Sequence, residues 1–166
     1  MKDIQLQHHQ TKFDTASTTE IDVLLDEMDS PANLGSIFRN AEAFGVKTIW
    51  VHENNNPEFT SNRFKRTARS TDKNINIHFY SDFETVLKAD DQLKIGIEIT
   101  TTSQPVQKIK TLQLKKLLLV VGNEKHGIKT ELIEKLDHIF HIDMYGQNSS
   151  LNVSQSLGIA LYEIRR

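Results

Sequence analysis

The strongest constraint on the fold is an uninterrupted apolar run at residues 117–121, which ends directly at Gly122. A strand that is apolar at every position has no face to turn to water, so it belongs inside a parallel sheet that is covered on both sides. Shorter apolar runs alternate with helical patterns along the rest of the chain. This alternation predicts an α/β fold, with a mostly parallel sheet and helices on both faces.

The positions of the apolar residues predict the individual elements. Ser30 suits the N-cap of the first helix, Pro31 suits its first turn and Gly45 suits its end. Residues 100–110, which contain Pro105, are expected to form an irregular connection. Strands are expected at residues 21–25, 47–51, 75–79, 94–99, 117–121 and 138–142, and helices at residues 31–44, 63–68, 83–89, 131–136 and from 153 to the end.

Two loops that follow predicted strands are expected to share one ligand site. Ligands of open α/β sheets bind beyond the carboxyl ends of the strands, where residues 122–127 and 145–150 both lie. In the first loop, Gly122 permits a ligand to approach the backbone closely, and Gly127 suits a left-handed turn. An ordinary strand-to-helix turn would also explain these glycines. The loop matches neither the dinucleotide fingerprint nor the Walker phosphate loop.

The first predicted helix carries polar residues away from its apolar stripe. Gly35, Arg39 and Glu42 follow one another at helical spacing on one side. A glycine inside a helix costs about 1 kcal/mol relative to alanine, so Gly35 indicates that another group packs closely there. Arg39 has a planar fork suited to phosphate or carboxylate, although a surface ion pair with Glu42 or a neighbour would also account for it. Asn33 would serve equally as a turn or cap residue.

The start of the last predicted helix is a further candidate for ligand contact. Ser149 or Ser150 is expected to cap this helix, while Ser150 and Asn152 together point to a ligand at its N-terminus. His138 and His141 lie three residues apart on a predicted strand and so face opposite sides of the sheet. A metal site is therefore not predicted.

Composition excludes several kinds of function. The 166 residues fit one domain and contain no cysteine, which rules out disulfides, thiolate metal sites and cysteine nucleophiles. Residues 1–19 are polar and lack the apolar stretch of a secretory signal. No run approaches the roughly 18 apolar residues of a membrane span. The protein is therefore expected to be cytoplasmic.

Charge is distributed unevenly along the chain. The net charge of −2 and the pI near 6.4 are not typical of a nucleic-acid-binding protein. A local cluster nevertheless has only Asp72 against it, and it consists of Arg63, Lys65, Arg66, Arg69 and Lys73. Two interpretations stay open at this point, a solvated helix face and a patch that contacts phosphates.

Three motifs in order make the chain similar to the SpoU (TrmH-type) family of RNA ribose 2′-O-methyltransferases. The first motif is Asn33-x-Gly35-x-x-x-Arg39 followed by residues 41–45. Residues 118–127 resemble the second motif, and residues 150–154, running into 159–163, resemble the third. Residues 98–100 also resemble a segment of the family. The resemblance extends from about residue 20 to the C-terminus.

The resemblance implies a SPOUT fold, in which the C-terminal segment threads a loop to form a trefoil knot. It also implies a homodimer that binds S-adenosyl-L-methionine in the knot and methylates the ribose 2′-hydroxyl of tRNA or rRNA. By the family pattern, backbone groups of Gly122, Ile142 and Leu151 would hold the cofactor. Arg39 would be the catalytic residue, supported by four polar residues, Asn33, Glu124, Ser150 and Asn152.

The same resemblance leads to an expectation about the RNA substrate and the residues that contact it. We expect one domain over residues 1–166 with no separate RNA-binding domain, so RNA recognition is assigned to Arg63, Lys65, Arg66 and Arg69 across a dimer. The compact length and the Asn-Glu-Lys form of the second motif favour tRNA slightly over rRNA. Lys125, His126 and Asp143 depart from the residues common in the family.

Two other hypotheses compete with an RNA methyltransferase. One is a non-catalytic RNA-binding protein of the same fold, and the other is an unrelated nucleotide-binding α/β protein. The joint presence of Asn33, Arg39, Glu124, Ser150 and Asn152 argues against lost catalysis. A preference for S-adenosylmethionine over NAD or ATP would exclude the unrelated nucleotide-binding protein and leave the methyltransferase and the RNA-binding protein.

Overall fold

The computed structural model describes residues 18–69, 71, 74–88, 91–113 and 115–166. Neighbouring strands of its seven-stranded sheet all run parallel. The strands are β1 (Glu20–Leu25), β2 (Thr48–His52), β3 (Asn76–Tyr80), β4 (Leu93–Ile97), β5 (Gln104–Pro105), β6 (Lys116–Val121) and β7 (His138–His141). Their order across the sheet is β3-β2-β1-β6-β4-β7-β5. The predicted parallel sheet is therefore confirmed.

Helices cover both faces of this sheet, as the apolar pattern predicts. They are α1 (Pro31–Ala43), α2 (Asn62–Ala68), α3 (Phe83–Leu87), α4 (Thr130–Ile133) and α5 (Val153–Arg165). Buried residues of α1, α2 and α5 form one core with the sheet, and those of α3 and α4 form a second core on the opposite face. Each face of the sheet therefore has its own apolar layer.

The central strand β6 contributes to both apolar layers. Leu117, Leu119 and Val121 face the core beneath α1, α2 and α5, whereas Leu118 and Val120 face α3 and α4. These five side chains are no more than 1% exposed. The uninterrupted apolar run is thus explained by burial on alternate sides, since successive side chains of a strand point in opposite directions.

Local capping determines where α1 begins and ends. The Ser30 hydroxyl accepts a hydrogen bond from the Asn33 N–H at 3.4 Å, and Pro31 occupies the first turn. Gly45 follows the helix in the left-handed region, with φ +65°. The predicted cap and stop signals are both confirmed. They direct the N-terminus of α1 toward the carboxyl ends of the strands.

The C-terminal end of α5 is fixed by a single side chain. The Arg165 guanidinium donates to the carbonyls of Thr19, Phe44 and Gly45 at 2.8–3.0 Å. Burial lowers the pKa of this guanidinium. The last turn of the chain is therefore attached to the start of β1 and the end of α1, which sets the direction of α5 across the sheet.

Three local predictions differ from the structure. Residues 100–110 are not wholly irregular, because β5 pairs with β7 and a 3₁₀ helix follows at Val106–Thr111. A second 3₁₀ helix at Glu53–Thr60 was not predicted, and α4 is shorter than expected. A two-residue strand, a four-residue α-helix and short 3₁₀ helices are too short for apolar periodicity to detect.

Some expectations concern residues outside the described ranges. Lys73 and the polar segment before residue 18 belong to this group. Within the described ranges, no helix combines the length and apolar character that crossing a bilayer would require.

The helix pair α1 and α2 packs closely because of Gly35. A Cβ built on Gly35 would lie 2.7 Å from Thr67 Cβ and 3.0 Å from the backbone at Ala68. The predicted reason for this glycine, a close neighbour, is confirmed, and the neighbour is α2. The basic helix α2, which carries Arg63, Lys65 and Arg66, is therefore held directly against α1, the helix that carries Arg39.

We expect Gly35→Ala to lower the free energy of unfolding by about 1–3 kcal/mol, because the added methyl group overpacks the helix contact. The loss should occur although alanine is intrinsically the better helix former by about 1 kcal/mol. Urea unfolding would measure it. Gly146→Ala is the matched control, since nothing lies within 4 Å of its Cβ position. Equal stability of the two variants would contradict the prediction.

Candidate functional site

A cavity of about 490 Å³ opens beyond the carboxyl ends of β4, β6 and β7. The N-termini of α1 and α5 complete its wall. The two loops that were expected to share a site, residues 122–127 and 145–150, both contribute residues to it. Seven predicted site residues line the cavity, namely Asn33, Gly122, Glu124, Ile142, Ser150, Leu151 and Asn152. The sheet thus brings together segments that are far apart in the sequence.

A chain of side-chain hydrogen bonds joins the three motifs. Asn33 Nδ2 donates to Glu124 Oε1 at 2.8 Å, and Asn152 Nδ2 donates to Asn33 Oδ1 at 2.8 Å. Asn33 therefore acts as donor to the second motif and as acceptor from the third. Both of its amide functions are engaged, so its orientation is determined by its two neighbours.

Glu124 also holds the connection between β1 and α1. Its carboxylate accepts the backbone N–H of Asp29 at 2.8 Å and that of Ser30 at 3.1 Å, in addition to the Asn33 amide. Hydrogen bonds to an ionised carboxylate are stronger than those between neutral groups. Glu124 therefore stabilises the cavity wall, and its two carboxylate oxygens already accept hydrogen bonds from protein donors.

Asn152 is the residue that caps α5. Its Oδ1 accepts the Ser154 N–H at 2.9 Å and the Ser154 hydroxyl at 2.6 Å. The prediction that Ser149 or Ser150 would cap this helix was wrong. Asparagine and serine are about equally good N-caps, so the sequence does not distinguish them. As a result the Ser150 hydroxyl, which lines the cavity, has no hydrogen-bond partner among the described residues.

The loop at residues 122–127 is a tight, internally bonded turn. Asn123 and Gly127 exchange backbone hydrogen bonds at 3.0 Å, and Gly127 adopts φ +67°. The predicted left-handed turn is confirmed. The reason for Gly122 differs from the prediction, because a Cβ there would collide with the backbone of Gly127 and Ile128. The close approach at Gly122 is made by the chain itself and needs no ligand.

The Asn123 side chain secures this turn. Its Oδ1 accepts the N–H groups of Lys125 at 2.9 Å and His126 at 3.2 Å. Its Nδ2 donates to the Glu27 carbonyl at 2.8 Å. Asn123 was not predicted to have a role. The sequence signal for this role is an asparagine just past the end of a strand, where an Asx turn is common.

Glu98 is a second residue that the sequence analysis did not assign to the site. It follows β4 and lines the cavity. Its carboxylate accepts the N–H of Ile128 at 3.0 Å and the N–H of Ile99 at 2.9 Å. A Cβ on Gly127 would collide with Glu98 Oε2. A charged residue directly after a buried strand at the ligand-binding edge was the available signal.

One ion pair crosses the rim of the cavity. Lys125 Nζ lies 2.8 Å from Asp29 Oδ2. The hydrogen bond from Lys125 lowers the pKa of the Asp29 carboxyl, with a further contribution from Asn123, and the same bond raises the pKa of Lys125. Both groups are well exposed, so the pair adds little stability. Its place on the rim connects the β1–α1 connection to the loop after β6.

Histidine residues give no metal site among the described residues. His141 lines the cavity, and its Nδ1 lies 2.9 Å from the Ser103 hydroxyl. No group of three or more His, Asp or Glu side chains in the described ranges is arranged to hold a metal ion.

Arg39 is the one predicted catalytic residue that does not line the cavity. It lies on the exposed side of α1, six residues after Asn33 and beside the contact between Gly35 and α2. No ion pair joins Arg39 to Glu42 or to any other residue that the structure describes. Its guanidinium is therefore directed to solvent next to the basic helix.

The predicted RNA-contacting residues lie on and just after α2. All four are exposed, and none forms an ion pair within the described part of the chain. Three belong to the helix, and the fourth ends it in the left-handed region with φ 51°; they are Arg63, Lys65, Arg66 and Arg69. The fifth predicted cation, Lys73, lies outside the described residues. Arg39 and these four side chains are thus exposed on or just after two helices that pack against each other.

Comparison with known proteins places this geometry in a family. RlmP of Bacillus subtilis, a 23S rRNA guanosine 2′-O-methyltransferase, is 30% identical over 148 residues, covering 86% of this chain and 57% of that protein. The AdoMet-bound rRNA methyltransferase of Sinorhizobium meliloti is 28% identical with a TM-score of 0.74, covering 90% of this chain and 57% of that one. The TrmH/SpoU tRNA modifying enzyme of A. aeolicus, at 24% identity and TM-score 0.77, covers 89% of this chain and 74% of that one and shares the fold.

This chain spans less than two thirds of the length of the curated relatives such as RlmP. The model of the SpoU rRNA Methylase family matches residues 20–162, which include all three motifs and every strand of the sheet. The chain therefore belongs to the SpoU rRNA Methylase family.

Proposed function

We propose that this protein transfers a methyl group from S-adenosylmethionine to a ribose 2′-hydroxyl of RNA. The observation that carries the proposal is the hydrogen-bond chain Glu124–Asn33–Asn152, which joins the three family motifs around the cavity. Membership of the SpoU family and the names of its relatives support the same reaction. Since the substrate is RNA, we expect the protein to act in the cytoplasm.

The residues of the cavity fit S-adenosylmethionine. Its volume lies within the range of about 300–1,000 Å³ that is usual for small-molecule sites. Glu98 and Glu124 contribute negative charge to a site for a cationic sulfonium. Backbone groups of three lining residues make no hydrogen bond within the described chain and are available to an adenosine, namely those of Gly122, Ile142 and Leu151. When bound, the cofactor supplies an electrophilic methyl group.

The polar residues then divide into two groups by what they contact. Asn33, Glu124 and Asn152 bond one another and act as positioning residues. Ser150 and Arg39 have no partner among the described residues and are left to contact RNA. Holding the reacting atoms about 3 Å apart in a fixed orientation is itself a large part of such catalysis. Positioning of this kind requires the rigid wall that the first group provides.

Arg39 acts in this proposal as a cation, because a guanidinium stays protonated in proteins. It binds the phosphate next to the target ribose and stabilises the negative charge that develops on the 2′-oxygen. The proton of the hydroxyl leaves through that phosphate, Ser150 or water. Arg39 can approach the phosphate from the exposed side of α1, whereas Ser150 faces the cavity.

The proposal also concerns which class of RNA is the substrate. The four cations of the α2 region are exposed and form no ion pair within the described ranges, which supports a contact with phosphates. We keep the slight preference for tRNA that the sequence indicates. RlmP is named for 23S rRNA and the A. aeolicus neighbour for tRNA, so both RNA classes enter the test. We further propose that residues 20–166 form one catalytic domain. The trefoil knot stays a prediction from the family.

We propose that the active form is a homodimer. The outer side of α5 exposes Ile159 at 37% and Tyr162 at 54%, three residues apart on one face. Large apolar side chains exposed together on one helix face are typical of a surface that another protein covers. A second copy of this chain would bury them.

We expect purified protein to transfer label from S-adenosylmethionine to either a tRNA or an rRNA pool, each isolated without the modification. The product should resist alkali at a single linkage, because a methylated 2′-oxygen cannot attack its phosphate. Arg39→Ala should lower kcat/KM about a hundredfold or more, as expected on removal of a group that stabilises transition-state charge. Lys108→Ala, an exposed cation on the 3₁₀ helix Val106–Thr111, is the control.

Three outcomes would contradict parts of this proposal. Alkali-labile label would place the methyl group on a base and exclude ribose methylation. Full activity of Arg39→Lys would show that a bidentate guanidinium is not required. Bound cofactor with no label in either pool would favour a non-catalytic RNA-binding protein.

We expect Glu98→Ala to weaken S-adenosylmethionine binding roughly tenfold, because a charged hydrogen bond to the Ile128 N–H is lost and the loop after β6 loosens. Glu98→Gln keeps an oxygen that accepts this N–H, so it should bind more tightly than Glu98→Ala. Titration calorimetry without RNA would measure both. Glu131→Ala, an exposed residue of α4, is the control. Identical affinities for wild type and Glu98→Ala would exclude the anchoring role.

Ile159→Glu should convert the dimer to a monomer, since a charge in an apolar interface cannot be solvated. Light scattering after gel filtration would give the mass of each species. Thr85→Glu introduces the same charge change at an exposed residue of α3, on the opposite face of the sheet from α5, and should leave the dimer intact. A wild-type protein that elutes as a monomer at all concentrations would contradict the prediction.

A further inference from the structure

The strand β3 forms one edge of the sheet and exposes an aromatic ring. Phe79 is 44% exposed, although it lies on the same face of the sheet as the core beneath α1 and α2. Its register partner Val51 is fully buried in that core. A single exposed apolar residue is common on protein surfaces and carries no argument alone. The surroundings of Phe79 are what distinguish it.

Phe79 is connected to the basic helix through one other ring. Phe79 packs against Phe59 edge to face, with ring centroids 5.5 Å apart. The ring of Phe59 in turn lies 4.7 Å from the ring of Phe64, a buried residue of α2. Phe64 and Phe59 are held by Phe38 of α1, each at 5.5 Å. The exposed ring is therefore the outer member of a fixed aromatic cluster beneath α2.

The helix that packs on this aromatic cluster, α2, carries charges of one sign. From Asn62 to Arg69 the chain contains four cations and no acidic residue. None of these cations forms an ion pair within the described ranges, and the same holds for Arg39 on the adjacent helix. Unpaired cations and an exposed aromatic ring on neighbouring elements are the combination by which proteins hold single-stranded nucleic acid. The cations bind phosphates, and the ring stacks on a base.

We propose that Phe79 provides a stacking contact for an unpaired RNA base, next to phosphates held by the α2 region. The inference rests on the proposed function, since it assumes that RNA is the substrate. It adds a base contact to a surface for which only phosphate contacts were expected. A fixed ring loses little entropy on binding, because Phe59 and the edge of the sheet already restrict it.

Stacking is sequence-tolerant, since every base has a π face. The target must therefore present at least one unstacked nucleotide within reach of this surface, as loops, bulges and strand ends do. A continuous A-form duplex would offer this surface no base face. The inference thus limits the substrate to RNA that has an unpaired nucleotide within reach of β3, three strands across the sheet from β6.

The test compares three variants in binding to a short fluorescent single-stranded RNA of mixed sequence. Phe79→Leu keeps an apolar side chain but removes the π face, and it should raise Kd roughly 5- to 50-fold. Phe79→Trp keeps a π face and should bind within about twofold of wild type. Arg66→Ala should also weaken binding, but with a salt-dependence slope reduced by about one, whereas Phe79→Leu should leave the slope unchanged.

A probe of the same length without bases separates stacking from other effects. It retains the phosphates, so Phe79→Leu and wild type should bind it equally. Thermal unfolding and light scattering of Phe79→Leu would detect a merely structural role or a role in dimer contact. Equal affinity of wild type and Phe79→Leu for the base-containing RNA would overturn the inference, as would a change of oligomeric state.

The inference and the proposed function can fail separately. Methylation of tRNA or rRNA by a Phe79→Leu protein with unchanged KM would overturn only the stacking contact. Absence of methyl transfer by the wild type would overturn the proposed reaction. Loss of base-dependent RNA binding in Phe79→Leu would still support the contact in that case.

Discussion

The architecture of the site depends on one carboxylate. Glu124 lies in the loop after β6, and it accepts hydrogen bonds from the connection between β1 and α1 and from the Asn33 side chain. Because β1 and β6 are adjacent in the sheet, these two connections leave the same edge. Without an acceptor between them, two backbone N–H groups at the start of α1 would lose their partners. The direction of α1, and hence the position of Arg39, follows from this contact.

The distribution of hydrogen-bond partners also explains which groups are left for a ligand. Asn123, Glu98 and Glu124 use their polar atoms to hold the loop after β6, so these side chains define a wall. The backbone of Gly122 and the hydroxyl of Ser150 retain their hydrogen-bonding capacity. A site that binds an adenosine through main-chain groups needs separate side chains to hold the loop in place. If the same side chains also bound the ligand, the loop would be free to move when the ligand dissociates.

Patterns that depend on near neighbours in the chain could be predicted from the sequence. The burial of β6 and the capping of α1 by Ser30 both follow from local rules and are confirmed. Features that depend on a partner distant in sequence could not. Asn152 rather than Ser150 caps α5 because Asn33 holds its amide, and no pattern near residue 152 reports Asn33. The roles predicted for the individual site residues stay predictions.

The net charge of −2 is compatible with RNA binding because part of the acidic charge is paired locally with lysine or arginine. Lysine–carboxylate pairs occur at the rim of the cavity, at the end of β1 and on α3, as Lys125–Asp29, Lys129–Glu27 and Lys135–Glu84 illustrate. By contrast, Arg39 and the cations of the α2 region have no such partner within the described ranges. Charges that are already paired contribute little field beyond a Debye length of about 8 Å, so the unpaired surface determines what a polyanion encounters. The average charge of the chain therefore says less about its ligand than the distribution of its ion pairs does.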